Sequence, residues 1–375
     1  MILHNLSLSS GNRHKTAITV GSNCIEESLT SLTTQSKRVF VLSQESLLKD
    51  SGYDIMSVVK SAYHSDCHLI LVADGESAKS MTTYTQCLNH IFDIGVERGD
   101  TIIGFGGGVV TDLAGFIAST CLRGIKLINI PTTLLAQVDA AIGGKTGINH
   151  PSGKNLIGSF YQPHLIINDI AILASLPKEE SQSGFAEIIK YGIIQDRDLF
   201  DLLLAEANTI SKFDYIADHD LWLNIITKSI KNKIYVVEED EKESSLRAIL
   251  NFGHTIGHGI EALFGYNMYK HGFCVAFGMC AATYIAVKKS LISQDMATAI
   301  YRILNVYDYH RISLDSIHKD RLLAIIARDK KVKDSKIRFV LPTHIGKVIV
   351  SPDVSESDII ASIEFIESFF TGVTP

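Results

Sequence analysis

The chain up to Pro177 alternates short β-rich runs with segments of helical periodicity, and this alternation restricts its fold more than any other feature. We predict strands for the short runs, which are Arg38–Ser43, His68–Val72, Thr101–Phe105 and Leu127–Ile130. Helical patterns lie between them, notably at Lys79–Ile94 and Val109–Ser119. Strands and helices that alternate in this way form a doubly wound α/β fold with a parallel sheet. Ligands of such sheets bind at the carboxyl ends of the strands.

Strand signals nearly vanish after Pro177, apart from the run Ile337–Leu341. We predict helices instead, at Glu179–Tyr191, Asp198–Ala207, Leu221–Glu238, Leu246–Phe264, Cys274–Ser290 and Ser293–Val306. A chain of 375 residues is also long for one hydrophobic core, so two domains are expected. We place the boundary near Leu176–Lys178, with an α/β domain over residues 1–177 and a mostly helical domain over residues 178–375.

The composition is that of an ordinary soluble globular protein, with 46% hydrophobic and 20% charged residues. A net charge of -6 argues against a nucleic-acid partner. The six cysteines form no C-x-x-C pair, which favours reduced thiols and a cytoplasmic location. Met1–Leu8 lacks the features of a secretory signal, and the longest apolar run, Phe273–Val287, is shorter than a membrane span. We therefore predict a buried helix there and no membrane partner.

Three histidines and a glutamate predict a metal site. His254 and His258 are four residues apart, so they project from one face of a helix, and His271 follows a short turn-like stretch. Glu187 lies in an otherwise apolar helical segment. Two imidazoles and one carboxylate make a catalytic zinc set with a coordination position left for substrate. Each residue alone would equally suit a core position, and Cys274, which could also reach a metal, is a small residue of the kind usually found in a core.

A glycine triplet, Gly106-Gly107-Gly108, follows a predicted strand and opens a predicted helix. Its backbone amides could face a pyrophosphate, helped by the helix dipole. The pattern is incomplete for a dinucleotide fingerprint because Val109 stands where the last glycine would be, and a lone triplet is more often a turn. Asp112 could be a simple charge in the first turn of the helix. Gly75-Glu76 with Lys79 could face ribose or amide groups, or could cap a helix.

A second glycine-rich stretch resembles the end of a P-loop but has Asp139 where that motif needs a glycine, so we reject nucleoside triphosphate binding. The remaining polar residues of the stretch suit a phosphorylated, sugar-like ligand; they are Asp139, Lys145, Lys154 and Asn155. Arg123 and Arg247 add guanidinium groups suited to phosphate or carboxylate. Lys190 could belong to a site or could simply pair with Glu187 one turn earlier.

Together these residues resemble the 3-dehydroquinate synthases, a family of sugar phosphate cyclases, over about Ser43–Gly346. The motifs that carry the resemblance are Gly106–Val110 with Asp112, Pro131–Ala136, Gly143–Asn149, Gly153–Gly158, Ala186–Gly192, Asn251–His258 and Asp329–Lys331. The chain departs from the family pattern at Ser43-Gln44, Ser175 and Lys178-Glu179.

The resemblance implies a Rossmann-like NAD-binding domain followed by a helical metal-binding domain, with the site between them, in a homodimer. It implies 3-deoxy-D-arabino-heptulosonate 7-phosphate, a phosphorylated sugar acid, as the substrate. NAD oxidises the C5 hydroxyl transiently, phosphate is eliminated, and the hydride returns. The ring then opens, and an aldol step closes the carbocycle of 3-dehydroquinate. Because net redox is zero, NAD acts catalytically.

The resemblance also implies a role for each matching position. The metal ligands, for zinc or cobalt, would be Glu187, His254 and His271. The hydroxyl contacts and proton handlers would be Asp139, Lys145, Asn155, Lys190, Asn251 and His258. Contacts to the substrate carboxylate would come from Lys233 and Arg247, and contacts to its phosphate from Lys145, His258, Lys330, Lys331 and Arg123, the last donated by a neighbouring subunit. The NAD contacts would be Glu76, Lys79, Gly107, Gly108, Asp112, Thr132, Thr133, Lys154, Asn155 and Ser175.

Three other functions remain open at this point. A metal-dependent alcohol or glycerol dehydrogenase would produce NADH and would not need the basic residues, because its substrates are uncharged. A sister cyclase would make an inosose or a valiolone, although Leu250-Asn251 and His258 favour the dehydroquinate pattern. A non-enzymatic binding protein would be expected to have lost at least one metal or charged position, and none is missing.

Overall fold

The computed structural model describes residues 4–10, 14–32, 36–241, 246–265, 268–309, 319–329 and 338–371. Two predicted site residues, Lys330 and Lys331, lie outside these ranges. The predicted strand Ile337–Leu341 is described from residue 338 onward.

The strands of the described residues are β1 (His4–Ser10), β2 (His14–Gly21), β3 (Arg38–Gln44), β4 (Asp66–Val72), β5 (Thr101–Gly106), β6 (Lys126–Pro131), β7 (Lys145–His150), β8 (Gly153–Phe160), β9 (Leu165–Asp169), β10 (Phe339–His344) and β11 (Lys347–Ser351). The helices are α1 (Ile25–Thr30), α2 (Glu45–Ser51), α3 (Ile55–Tyr63), α4 (Met81–Ile94), α5 (Gly108–Thr120), α6 (Lys178–Ile194), α7 (Arg197–Ala205), α8 (Ala207–Ile210), α9 (His219–Glu239), α10 (His254–Leu263), α11 (His271–Lys288), α12 (Gln294–Val306), α13 (Lys319–Asp329) and α14 (Glu356–Thr371).

One compact unit consists of the chain up to Pro177 together with Asp214–Glu241. Its main sheet has the strand order β1-β2-β9-β6-β5-β3-β4. The strands from β2 to β4 in that order pair in parallel, and β1 joins one edge antiparallel to β2. The predicted parallel α/β sheet is therefore confirmed. β5 is buried at every position, as expected of a strand covered on both faces.

The other unit consists of Lys178–Phe213 and the chain from Lys242 onward. It is mostly helical, as predicted, with the antiparallel pair β10–β11 beside the helices. The division differs from a single boundary at Pro177 because the segment Asp214–Glu241, which contains α9, belongs to the first unit, where α9 packs on β1. The helical periodicity of α9 gives its buried face but does not say which unit covers that face.

The long apolar helix α11 is the core of the second unit. Among the described residues, α11 is the one helix whose length and apolar composition would allow it to cross a membrane. However, 78% of it is buried inside the protein. The prediction of a buried helix is therefore confirmed. Its glycines allow close approach: a Cβ on Gly272 would lie 1.9 Å from the carbonyl oxygen of Ser183 in α6, and a Cβ on Gly278 would lie 1.8 Å from that of Gly253. Larger residues at these positions would push the neighbouring backbone away.

Candidate active site

Glu187, His254 and His271 meet inside the second unit. Oε1 of the buried Glu187 lies 3.6 Å from Nε2 of each of the two histidines. One ligand atom from each residue lies within 4.8 Å of the other two, which is the spacing of a metal-binding cluster. His258 stacks edge-on against His254 with ring centroids 5.0 Å apart, as four-residue helical spacing predicts. Cys274 is fully buried and belongs to neither of the possible metal-binding groups among the described residues.

A break in the chain sets the position of His254. The predicted helix Leu246–Phe264 is in fact two, a 3₁₀ segment at Leu246–Asn251 and then α10, because Gly253 adopts a left-handed conformation with φ +80°. This break makes His254 the first residue of α10. Its Nδ1 lies 3.1 Å from the carbonyl oxygen of Phe252, which can only accept, so Nδ1 carries the hydrogen and Nε2 is left for the cluster.

Charges around the cluster shift both imidazoles. Burial lowers the pKa of His254, and the neighbouring ammonium of Lys190 lowers it further, so this ring stays neutral. Burial also acts to lower the pKa of His271, but the neighbouring carboxylates of Glu187 and Glu261 outweigh it and raise the pKa to about 10. Lys190 pairs with Glu187, as its spacing of three residues allows. The carboxylates of Glu187 and Glu261 therefore favour a positive charge on His271, the position at which a metal cation would replace the proton.

Glu261 was not predicted as a site residue. It lies one turn after His258 on α10, is 7% exposed, and its Oε1 is 2.7 Å from Nδ1 of His271. In the sequence, only its spacing of three residues from His258 could have indicated this role. Many carboxylates on helices have such a spacing from a histidine, so the spacing alone is not specific.

Four of the predicted NAD residues lie together in the first unit: Glu76, Lys79, Asp112 and Asn155. Lys79, at the centre of this group, is 4% exposed. Its Nζ donates to Oδ2 of Asp112 at 2.7 Å and to Oδ1 of Asn155, and lies 3.9 Å from Oε1 of Glu76. Asn149, which was not predicted to be a site residue, donates to Glu76 at 2.8 Å. Burial raises the pKa of Asp112, and Lys79 opposes that rise. These contacts make one continuous polar cluster.

The glycine triplet lies between β5 and α5, against the loop that follows the adjacent strand β6. The amide of Thr132 donates to the carbonyl oxygen of Gly106 at 3.0 Å. A Cβ on Gly107 would lie 3.0 Å from the methyl group of Thr133, and one on Gly106 would lie 2.5 Å from Val110. Glycine is therefore needed for the two loops to touch, at the carboxyl ends of two neighbouring parallel strands.

Asp139 and Lys233 form an ion pair of 2.6 Å within the first unit. Asp139 lies in the π-helical turn Ala136–Ala140, and Lys233 lies on α9. Lys145 and Asp112 line one small cavity of about 10 Å³, room for about one water molecule.

The remaining predicted residues differ in their exposure to solvent. Arg123 and Ser175 are exposed, and the Ser175 hydroxyl donates to the carbonyl oxygen of Ile172 inside its own short helix. Lys154 is partly buried on β8. Arg247 is 1% exposed, and Asn251 is partly buried at the end of the same 3₁₀ segment.

Comparison with known families accounts for this combination of clusters. Residues 69–183 match the family model "3-dehydroquinate synthase N-terminal" and residues 184–332 match "3-dehydroquinate synthase C-terminal". The chain belongs to the 3-dehydroquinate synthase family. The resemblance inferred from the sequence motifs is therefore confirmed, and the matched residues include both the polar cluster around Lys79 and the cluster of Glu187 with the two histidines.

Individual family members match most of the chain. The 3-dehydroquinate synthase of Rippkaea orientalis is 44% identical over 328 residues, which is 87% of this chain and 88% of that protein. The 3-dehydroquinate synthase of Prochlorococcus marinus strain MIT 9312 is 41% identical over 336 residues, which is 90% of this chain and 92% of that protein.

Solved structures share the fold. A 2-epi-5-epi-valiolone synthase from Streptomyces hygroscopicus, with NAD+ and Zn2+ bound, has a TM-score of 0.85 at 24% identity and covers 96% of this chain and 98% of that one. A 2-deoxy-scyllo-inosose synthase, complexed with carbaglucose-6-phosphate, NAD+ and Co2+, has a TM-score of 0.84 at 24% identity and covers 97% and 100%. A glycerol dehydrogenase from Schizosaccharomyces pombe has a TM-score of 0.67 at 18% identity and covers 97% and 92%. Because the fold extends to dehydrogenases, sequence rather than fold places the chain among the dehydroquinate synthases.

Proposed function

We propose that the protein is a 3-dehydroquinate synthase that converts 3-deoxy-D-arabino-heptulosonate 7-phosphate to 3-dehydroquinate and phosphate in the shikimate pathway. The observation that carries the proposal is the match of both family models across residues 69–332. The solved structures of two sister cyclases and a glycerol dehydrogenase resemble this chain in fold. Likeness of fold alone does not favour either of those functions.

The enzyme uses NAD and a divalent metal, for which the residues present are suitable. One carboxylate and two imidazoles within 4.8 Å of one another form a donor set that suits zinc and cobalt alike, and three protein ligands leave room for substrate oxygen atoms. We assign Glu187, His254 and His271 to this metal. We assign NAD to the first unit, where the glycine loop faces the start of α5 and the polar cluster around Lys79 offers acceptors and donors to ribose and amide groups.

Bound NAD would supply reversible hydride transfer at C5, and a divalent ion held by Glu187, His254 and His271 would supply Lewis-acid polarisation of the neighbouring hydroxyl oxygen atoms. Asp139 and Lys233 act as a pair, in which the Asp139 carboxylate accepts a hydroxyl proton and the Lys233 ammonium also contacts the substrate carboxylate. Lys190 holds the Glu187 carboxylate in place through their ion pair. Arg247 and Lys145 bind the carboxylate and phosphate of the substrate through charge-assisted hydrogen bonds.

The residues assigned to the two cofactors lie on different units, since Lys79 and Asp112 belong to the first and the metal ligands to the second. We propose that the enzyme is a cytoplasmic homodimer in which the exposed Arg123 of one subunit contacts the phosphate bound by the other. All six cysteines are free thiols, which supports a reducing compartment.

A phosphate-release assay with the heptulosonate phosphate tests the function. We expect phosphate release that requires NAD, stops with a chelator and resumes with zinc or cobalt, while NADH absorbance does not accumulate. Glucose 6-phosphate, a sugar phosphate without a carboxylate, is the control substrate and should release none. Stoichiometric NADH production would indicate a dehydrogenase and overturn the proposal, as would full activity in protein that elemental analysis shows to be free of metal.

A further inference from the structure

Glu261 contacts a proposed metal ligand from the side opposite to the metal. Its Oε1 lies 2.7 Å from Nδ1 of His271, whereas Nε2 of that ring lies 3.6 Å from Oε1 of Glu187. The Glu261 side chain is 7% exposed and reaches this position from α10, two turns after His254. A buried carboxylate that meets the outer nitrogen of an imidazole fixes both the ring plane and the nitrogen that carries hydrogen.

We propose that Glu261 is a positioning residue for the metal site: it accepts the Nδ1 hydrogen of His271 and thereby directs the Nε2 lone pair toward the metal. This inference rests on the proposed function, because it requires that Glu187, His254 and His271 hold a divalent ion. Glu261 touches neither substrate nor NAD in this role, and it acts through His271 alone.

The two histidines are held by different kinds of acceptor. Nδ1 of His254 meets the backbone carbonyl of Phe252 at 3.1 Å, so its orientation depends on the chain break before α10. Nδ1 of His271 meets a carboxylate, which forms a stronger, charge-assisted hydrogen bond and makes the ring a better electron donor. Glu261 therefore orients the histidine at the start of α11, as the backbone carbonyl of Phe252 orients the histidine at the start of α10. Its negative charge also strengthens the binding of a cation.

A different reading of the same residues makes Glu261 a ligand itself. His258, Glu261 and His271 also have ligand atoms within 4.8 Å of one another. Against that reading, Glu261 is already bound to Nδ1 of His271, and a second ion there would have to displace that hydrogen. The two roles differ in the number of ions bound by each chain, so binding stoichiometry separates them.

The test is the cobalt affinity of Glu261→Ala and Glu261→Gln in the full-length protein, measured by chelator competition and by the visible absorption of bound Co2+. Loss of a carboxylate that orients a ligand weakens metal binding roughly 10- to 100-fold. We expect that loss for the alanine variant, with an altered cobalt spectrum. The glutamine variant should lose less, because its amide oxygen still accepts the Nδ1 hydrogen. Glu180→Gln is the matched control: it removes a carboxylate that pairs with Lys270, next to His271, at 2.6 Å, and it should bind cobalt normally.

Each outcome decides between the readings. Wild-type affinity and spectrum in Glu261→Ala would overturn the positioning role, and so would a second cobalt per chain that both Glu261 variants lose. Weakening by Glu180→Gln as large as that by Glu261→Ala would show a general charge effect and also overturn it. If the alanine variant does not fold, the isosteric glutamine variant decides by the same criteria. A wild-type chain that binds no cobalt would overturn the proposed metal chemistry itself, whereas cobalt binding indifferent to Glu261 would overturn only this inference.

Discussion

Lys233 donates a hydrogen bond to Asp139 at 2.6 Å, and this ion pair joins α9 to the turn after β6 inside the first unit. The Lys233 side chain is 7% exposed and the Asp139 side chain 25% exposed, so the pair is only partly screened by water. The α9 segment follows the first stretch of the second unit in the chain, yet it places Lys233 in the first unit.

Replacing either member of this pair should reduce catalysis. We expect Asp139→Asn and Lys233→Met each to lower kcat/KM roughly 30- to 1000-fold, because each removes a charge-assisted contact in the proposed site. Since the two groups act together, the double variant should lose much less than the product of the single losses. Steady-state phosphate release measures all three variants. Fully multiplicative losses would show that the two residues act independently.

Lys79 should control NAD affinity. Lys79→Met removes the cation that Asp112 and Asn155 share, leaving a partly buried carboxylate without that partner, and we expect the Kd for NAD to rise at least about 10-fold. Titration calorimetry measures the change. Lys37→Met is the matched control, since Lys37 pairs with Glu97 at 2.8 Å on the surface of the same unit and should leave NAD affinity unchanged. Equal NAD affinities in wild type and Lys79→Met would place the cofactor elsewhere.

Sequence patterns predicted four of the seven strands of the main sheet, β3 to β6, and the helical second unit, because continuous apolar runs and helical periodicity report burial directly. They missed β2 and also β9, although β9 is buried at every position. β1 was missed since His4–Ser10 is mostly polar, and β7 was missed since Gly147 and Lys145 indicate a loop. The break at Gly253 was missed because one glycine inside a long helical pattern is compatible with an unbroken helix.

The site was predicted in part. The spacing of four residues placed His254 and His258 on one face, and the structure confirms that arrangement. Spacing could not say that Glu187 contacts His254 and His271, because that contact depends on how three helices pack. It also could not find Glu261, whose bond to His271 joins two helices.

Gly253 should be hard to replace. Gly253→Ala would combine a left-handed backbone with a Cβ 2.6 Å from the carbonyl oxygen of Val275, and we expect a loss of about 2–5 kcal/mol in the free energy of unfolding. Gly265→Ala isolates the backbone contribution, because Gly265 has φ +78° and no atom of another described residue beyond its chain neighbours lies within 4 Å of its Cβ, and it should lose about 1–2 kcal/mol. Urea unfolding measures both. Equal losses would mean that contact with α11 contributes nothing.

Asp358 should make the stability of the second unit depend on acid. It closes the first turn of α14 through reciprocal hydrogen bonds with Ser355 and also meets the ammonium groups of Lys288 and Lys289 at 3.1 and 3.2 Å. Burial alone would raise the pKa of Asp358, but these hydrogen bonds outweigh it and hold the pKa below its usual range.

A lowered carboxyl pKa stabilises the folded state at pH values above the unfolded pKa of about 3.9, and that stability is lost as pH falls toward the folded pKa. We therefore expect Asp358→Asn to cost about 1 kcal/mol at pH 7 and progressively less below pH ~4. Thermal unfolding from pH 7 to 3 measures the effect. Asp353→Asn, at an exposed carboxylate just before the helix, should follow the wild-type curve. A deficit in Asp358→Asn that does not shrink in acid would contradict the assignment.

The glycine contacts along α11 limit how the metal cluster can adjust. Gly272 next to His271 touches the backbone of α6, which carries Glu187, and Gly278 touches Gly253 beside His254. The backbone of α11 is thus in direct contact with α6 and with the residue that precedes α10. An ion of larger or smaller radius must be accommodated by rotation about side-chain bonds, since the helices have no room to slide. If these three residues bind the metal, we therefore expect ion preference to depend on the side-chain torsions of Glu187, His254 and His271, and redesign for another ion should begin with those torsions and leave the glycines untouched.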